Sequence, residues 1–175
     1  MGSLHGWRVC PRCGNDLERA PDHLSCPACG SRFHANAEPT SGAVVVDRDG
    51  RVLLGRRANP PFEGRWDLPG GFLDEAEHPL DALRRELREE TGLDVEPDRF
   101  LGVWLDRYAD EPDDAASWTL NLYWSARVVS GDARAADDVA ELRWFAPDEL
   151  PPGLAPPRTL TEVLEAWEAT RAGTR

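Results

Sequence analysis

The segment Gly71–Leu93, GFLDEAEHPLDALRRELREETGL, limits what this chain can fold into more than any other. It holds seven carboxylates, and three of them, Glu86, Glu89 and Glu90, fall within about one helical turn. Leu80, Leu83 and Leu87 share one stripe at about 100° per residue, which predicts a helix buried on one side. Pro79 suits a first helical turn, and Gly92 suits a C-terminal stop. Glu86 and Glu90 border the apolar stripe as an exposed margin, and Glu89 lies further round beside Arg85. Carboxylates three and four residues apart repel by roughly 0.2–0.5 kcal/mol per pair. Such crowding raises their pKa values unless a cation neutralises it. Hard oxygen ligands on a short rigid element suit Mg²⁺ or Mn²⁺, not Zn²⁺ or copper. The competing reading of the same composition is a solvated helix laced with ion pairs such as Asp81–Arg85 or Arg85–Glu89.

All four cysteines lie in a second, separate pattern, Cys10-x-x-Cys13 and Cys26-x-x-Cys29. Two such knuckles place four thiolates within reach of a tetrahedral Zn²⁺, with Gly14 and Gly30 allowing the turn after each. Two disulfides are the rival, disfavoured in a cytosolic protein. His23 and His34 stand near a shell that four cysteines already fill. Residues 1–35 carry four Arg against Asp16, Glu18 and Asp22, a formal +1 that makes no basic patch for nucleic acid. The expected role is a zinc-held folding unit, a ribbon over 1–38, ahead of a larger domain over 39–175.

That larger part reads as strands around the carboxylate helix. Ala43–Val46, an Asp49-Gly50 turn and Arg51–Gly55 predict a hairpin, closed by Arg56 and Arg57 on opposite faces. Phe100–Tyr108, Trp118–Val129 and Glu141–Phe145 predict further strands, with an acidic loop over Asp110–Ala116. Ala146–Leu150 predicts a short helix, and a Pro-rich linker leads to a last helix over Thr159–Arg171 with Leu160, Val163, Leu164 and Trp167 inward. The formal charge of −12 disfavours nucleic-acid partners, since phosphate backbones are held by basic surfaces. No apolar run approaches the roughly 18 residues of a membrane span, and the N-terminus lacks a signal-peptide layout, which predicts a cytoplasmic protein.

The spacing within the opening segment carries a resemblance. Gly71, Glu77, Arg85-Glu86-Leu87, Glu89-Glu90 and Gly92-Leu93 fill every fixed position of the Nudix hydrolase box, and Trp66-Asp67-Leu68-Pro69-Gly70 resembles its usual lead-in. The run CPACGSRFHANAEP from Cys26 is similar to the zinc ribbon that precedes some Nudix domains, including members that cleave NADH or FAD. The resemblance implies an α+β fold, an α/β/α sandwich with a mixed β-sheet preceded by the small ribbon. It implies metal-dependent attack of water on a pyrophosphate, with a small-molecule nucleotide as partner, and a homodimer is compatible with it.

Carried over, Glu86 and Glu90 would be direct metal ligands, Glu89 a further ligand or a partner through water, and the backbone of Gly70 or Gly71 would complete the shell. Arg85 and Glu77 would orient the cluster. The general base would come from Asp138, Glu141 or Asp137, with Asp138 favoured and Glu89 held in reserve. Either Arg56 or Arg57 would grip a phosphate, and Phe72, Trp104, Tyr108 and Trp118 are available to stack a base. The chain has no Gln, so it lacks the SQPWP-like run of NADH-cleaving relatives. The ribbon nevertheless points to ADP-ribose, NADH or FAD ahead of nucleoside triphosphates or dinucleoside polyphosphates.

Overall fold

Along β4 (Glu38–Val46), successive apolar side chains go to opposite faces, and both faces are covered by helices. The computed structural model describes residues 4–110 and 116–172, so positions 111–115 of the expected acidic loop lie outside the described residues. Three short strands, β1 (Glu18–Arg19), β2 (His23–Ser25) and β3 (Arg32–His34), form a small antiparallel sheet around the cysteine knuckles. The larger sheet comprises β4, β5 (Val52–Arg57), β6 (Trp66–Asp67), β7 (Gly70–Phe72), β8 (Leu93–Arg107), β9 (Trp118–Gly131) and β10 (Val139–Phe145). Its path runs β10-β5-β4-β9-β8, with β6 on β5 and β7 on β4. β4 and β9 are parallel and the other pairings antiparallel, so the sheet is mixed.

Helix α1 (Pro79–Thr91) packs Leu83 and Leu87 against Ala43, Val45 and Trp124 on one face. Helix α2 (Pro157–Ala172) packs Leu160, Val163, Leu164 and Trp167 against Val44, Leu54 and Tyr123 on the other. Each buried leucine contributes about 1.5–3 kcal/mol. The layers are therefore α/β/α, in the α+β class expected. No helix among the described residues is long and apolar enough to cross a membrane.

Two local expectations change. Ala146–Leu150 forms a turn, closed by a Glu149 N–H to Ala146 carbonyl bond of 2.9 Å, and no helix. Pro151 follows Leu150 and disfavours helical geometry there. β8 begins at Leu93, not Phe100, because Gly92 adopts φ 71° and turns the chain straight from α1 into the sheet. Pro97 is tolerated because β8 is an edge strand and its register shifts around that residue. Helix α1 starts at Pro79 as expected, capped by His78, whose ring accepts the Leu80 N–H at 3.3 Å.

Candidate active site

Arg85 is the hub of the carboxylate helix. Its Nε and one terminal nitrogen donate to both oxygens of Glu77 at 2.9 and 2.8 Å, a bidentate pair. Its other terminal nitrogen reaches Glu86 at 2.7 Å and Glu89 at 3.1 Å, and the Phe72 carbonyl accepts a further bond at 3.0 Å. Hydrogen bonds from Arg85 and from the Asp74 N–H hold Glu77 down to about 2. One planar guanidinium thus ties the start of the segment to two of its carboxylates.

Glu90 lies differently from its expected exposed margin. Only 6% of it is accessible, and its carboxylate accepts the Gly70 N–H at 2.8 Å. The expectation failed because β7 crosses that side of the helix, which no helical wheel contains. Burial pushes Glu90 well above the usual carboxylate range, the Gly70 N–H pulls it back, and neighbouring Asp138 pushes it further up. Burial raises Glu86 as well, against the pull of Arg85. Gly71 makes this placement feasible, since a Cβ there would stand 2.5 Å from the Glu86 carboxyl carbon.

Glu86, Glu90, Asp137 and Asp138 all face one cavity of about 320 Å³. Its walls also carry Arg57, Phe72, Tyr108, Gly71 and Asp67. Arg57 and Arg56 point to opposite sides of β5, as alternation requires. Arg57 enters the pocket, whereas Arg56 pairs with Glu141 at 3.1 Å outside it. Glu141 also binds Arg143 at 2.5 Å and does not line the pocket, because it lies within β10, three residues past Asp138. Trp104 packs on Tyr123 in the α2-side core, ring centroids 5.8 Å apart, and Trp118 likewise lies outside the pocket. Glu89 is half-exposed and held by Arg85 away from the cavity.

Asp67 escaped the sequence reading. A carboxylate between Trp66 and Leu68 was the available signal. Burial pushes Asp67 up to about 7, against the pull of Arg57. Asp67, Glu86 and Glu90 are all raised, so through them the native state binds more protons than the unfolded chain. Glu77, Asp47 and Asp94 are lowered and act the opposite way at about pH 4, but above about pH 5 they are ionised in both states. Stability must then fall as pH rises from about 5 to 7. In buffer without added Mg²⁺ or Mn²⁺, melting temperature should drop across that window by an amount worth on the order of a few kcal/mol. A flat or rising profile there would contradict the burial of these carboxylates.

The residue types at this pocket fit hard cations: Glu86 and Glu90 line it beside the Gly70–Gly71 backbone, an oxygen donor set suited to Mg²⁺ or Mn²⁺. The cysteine cluster fits Zn²⁺. Its four Sγ atoms lie within 4.8 Å of one another, with Cys10–Cys29 at 3.7 Å and Cys13–Cys26 at 3.4 Å. Tetrahedral zinc thiolates imply S···S separations of about 3.8 Å. The knuckles are built alike: Gly14 N–H bonds the Cys10 carbonyl and Gly30 N–H the Cys26 carbonyl, both glycines having positive φ.

The NUDIX domain family model matches residues 37–164. An ADP-ribose pyrophosphatase of Methanocaldococcus jannaschii is 34% identical over 107 residues, covering 61% of this chain and 61% of that protein. A NAD-capped RNA hydrolase, NudC, of Pseudomonas aeruginosa is 30% identical over 175 residues, covering 95% of this chain and 57% of that protein. The chain thus spans about three-fifths of the length of these two curated relatives. A NUDIX hydrolase structure from Nitrosomonas europaea matches with a TM-score of 0.69 at 25% identity, covering 83% of this chain and 81% of that one. With the matched span running from the start of β4 into α2 and enclosing the whole carboxylate segment, the chain belongs to the NUDIX family.

Proposed function

We propose that this protein hydrolyses the pyrophosphate bond of a nucleoside diphosphate linked to a second moiety, of the ADP-ribose, NADH or FAD type, with Mg²⁺ or Mn²⁺. The observation that carries this reading is one pocket with Glu86, Glu90 and Asp138 together and Arg57, Phe72 and Tyr108 around them. Glu86 and Glu90, with the backbone at Gly70 or Gly71, would hold the cation. Bound there, it would neutralise the pyrophosphate oxygens whose charge otherwise repels a nucleophile.

The chain's own groups supply the rest. Asp138 accepts the proton of the attacking water, a P–O anhydride bond breaks, and the leaving phosphate takes the electron pair. The Arg85–Glu77 pair holds the Glu86 carboxylate in place. Arg57 faces the substrate's phosphates, which a chain of net charge −12 would otherwise repel. Phe72 and Tyr108 meet edge-on with centroids 5.4 Å apart, an aromatic corner for a base. The names of the two curated relatives support ADP-ribose or NAD-type substrates.

A substrate panel with Mg²⁺ or Mn²⁺ and product identification by mass tests this. It should contain ADP-ribose, NADH, FAD, diadenosine polyphosphates, nucleoside triphosphates and a NAD-capped oligoribonucleotide. AMP from one of the first three is the expected product. Pyrophosphate and a nucleoside monophosphate from triphosphates alone would reassign the protein to nucleotide clearance. Nucleotide binding without any turnover would make it a sensor.

The ribbon over 1–38 is proposed to be held by Zn²⁺ and to serve the structure, docked on the domain over 39–175 or at a dimer interface. Cys10→Ser should release zinc and lower the melting temperature or dimer content, while kcat per folded molecule stays close to wild type. A loss of kcat at unchanged melting would refute that role.

A further inference from the structure

We propose that Asp67 is a positioning residue that sets the substrate-facing wall of the pocket through Arg57 and Tyr108. This rests on the reading of the pocket as a nucleotide site. Asp67 comes from β6, Arg57 from the end of β5 and Tyr108 from just beyond β8, so three separate segments meet at one guanidinium.

Each of the three Arg57 nitrogens holds a different partner. One terminal nitrogen donates to Asp67 Oδ2 at 3.2 Å, the other to the Tyr108 hydroxyl at 2.9 Å, and Nε to the Pro61 carbonyl at 2.7 Å. The fork is planar and rigid, so fixing one arm fixes the direction of the others. Asp67 is itself aimed, since its Oδ1 accepts the Leu68 N–H at 2.8 Å. These contacts engage three of the five N–H donors of Arg57, and two are left for substrate oxygens.

Its bonding argues against a direct role. Both Asp67 oxygens are already engaged within the protein, Oδ1 by the Leu68 N–H and Oδ2 by Arg57. The cation paired with Asp67 is Arg57, at 3.2 Å. Arg57 lies 5.7 Å from the centre of the Tyr108 ring, and Tyr108 in turn meets Phe72. Through Pro61 the same guanidinium also holds the loop after β5, and Phe62 in that loop gives its N–H to Asp110 at 2.6 Å and lines the pocket. Displacing Arg57 would therefore move a phosphate-facing cation, an aromatic wall and a loop together. Asp138 stands near enough to push Asp67 up, but none of Glu86, Glu90 and Asp138 is a hydrogen-bond partner of Arg57, so the effect should fall mainly on binding.

The test uses the full chain and a double-mutant cycle of Asp67→Asn and Tyr108→Phe, with AMP binding by calorimetry and steady-state kinetics on the best substrate of the panel. Asp67→Asn should weaken AMP binding and raise KM by about tenfold, the size of one charged hydrogen bond, with kcat within about threefold. The double variant should be no weaker than Asp67→Asn alone, because both changes release the same guanidinium. A kcat loss at constant KM, additive effects, or unchanged AMP affinity and KM would each overturn the proposal while leaving the hydrolase reading in place. Absence of turnover with AMP binding still weakened in Asp67→Asn would do the reverse. A wild-type protein that binds no nucleotide would end both. If Asp67→Asn fails to fold, Arg57→Lys keeps the charge but loses the fork, and it should show the same KM rise without further loss on adding Tyr108→Phe; unchanged KM would overturn the proposal.

Discussion

Glu90→Gln is expected to remove turnover while leaving the fold intact. Gln can still accept the Gly70 N–H that Glu90 accepts at 2.8 Å, so the β7–α1 contact survives. The substitution also replaces a buried carboxyl, which burial and neighbouring Asp138 and Glu86 disfavour in its charged form, by a neutral amide. Metal-free melting temperature should therefore stay level or rise. On the proposed reading of Glu90 as a direct ligand, activity should fall by more than the roughly 10–100-fold that loss of an outer partner costs. Glu89→Gln makes the comparison, since Glu89 is half-exposed and outside the pocket and should lose far less. Measured kcat with saturating Mg²⁺, beside thermal melts of both variants, decides the point. A Glu90→Gln enzyme retaining most of its kcat would show that the metal sits elsewhere.

The second large effect is on folding. Gly70→Ala should unfold the β7 region, because a Cβ there would stand 2.4 Å from the Gly42 Cα and 2.4 Å from the Ser41 carbonyl oxygen. Both obstacles are backbone, and Gly70 and Gly42 face one another across β7 and β4. Gly70 also sits at φ 144°, which side chains other than glycine's rarely adopt. Strain of about 1–3 kcal/mol and overpacking of about 1–3 kcal/mol together predict a loss of several kcal/mol. At about 2–4 °C per kcal/mol for a domain of this size, melting should drop by roughly 5–20 °C. For Gly71→Ala the nearest obstacle is the Glu86 carboxylate, a side-chain end and not backbone, so it should impair activity more than folding. A Gly70→Ala protein melting within about 2 °C of wild type would contradict the close β4–β7 approach.

The features legible in the sequence are those set by neighbours within a few residues. The apolar stripe of α1, its proline start and its glycine stop follow from a 3.6-residue period and from backbone preferences. So do the inward face of α2, the opposite directions of Arg56 and Arg57, and the paired cysteine knuckles. The tertiary structure decided what depends on register between distant segments. It buried Glu90 under β7, put Arg57 and not Arg56 in the pocket, and left Glu141 in an ion pair outside it. It also brought Asp67, Tyr108 and Asp138 around residues up to 81 positions away. A one-residue slip in a strand exchanges its two faces, so no local pattern can say which of two adjacent charged residues enters a site. The sequence by itself determined which chemistry the chain carries; the packing of β5, β7 and β10 around α1 determined which side chains stand where that chemistry can act.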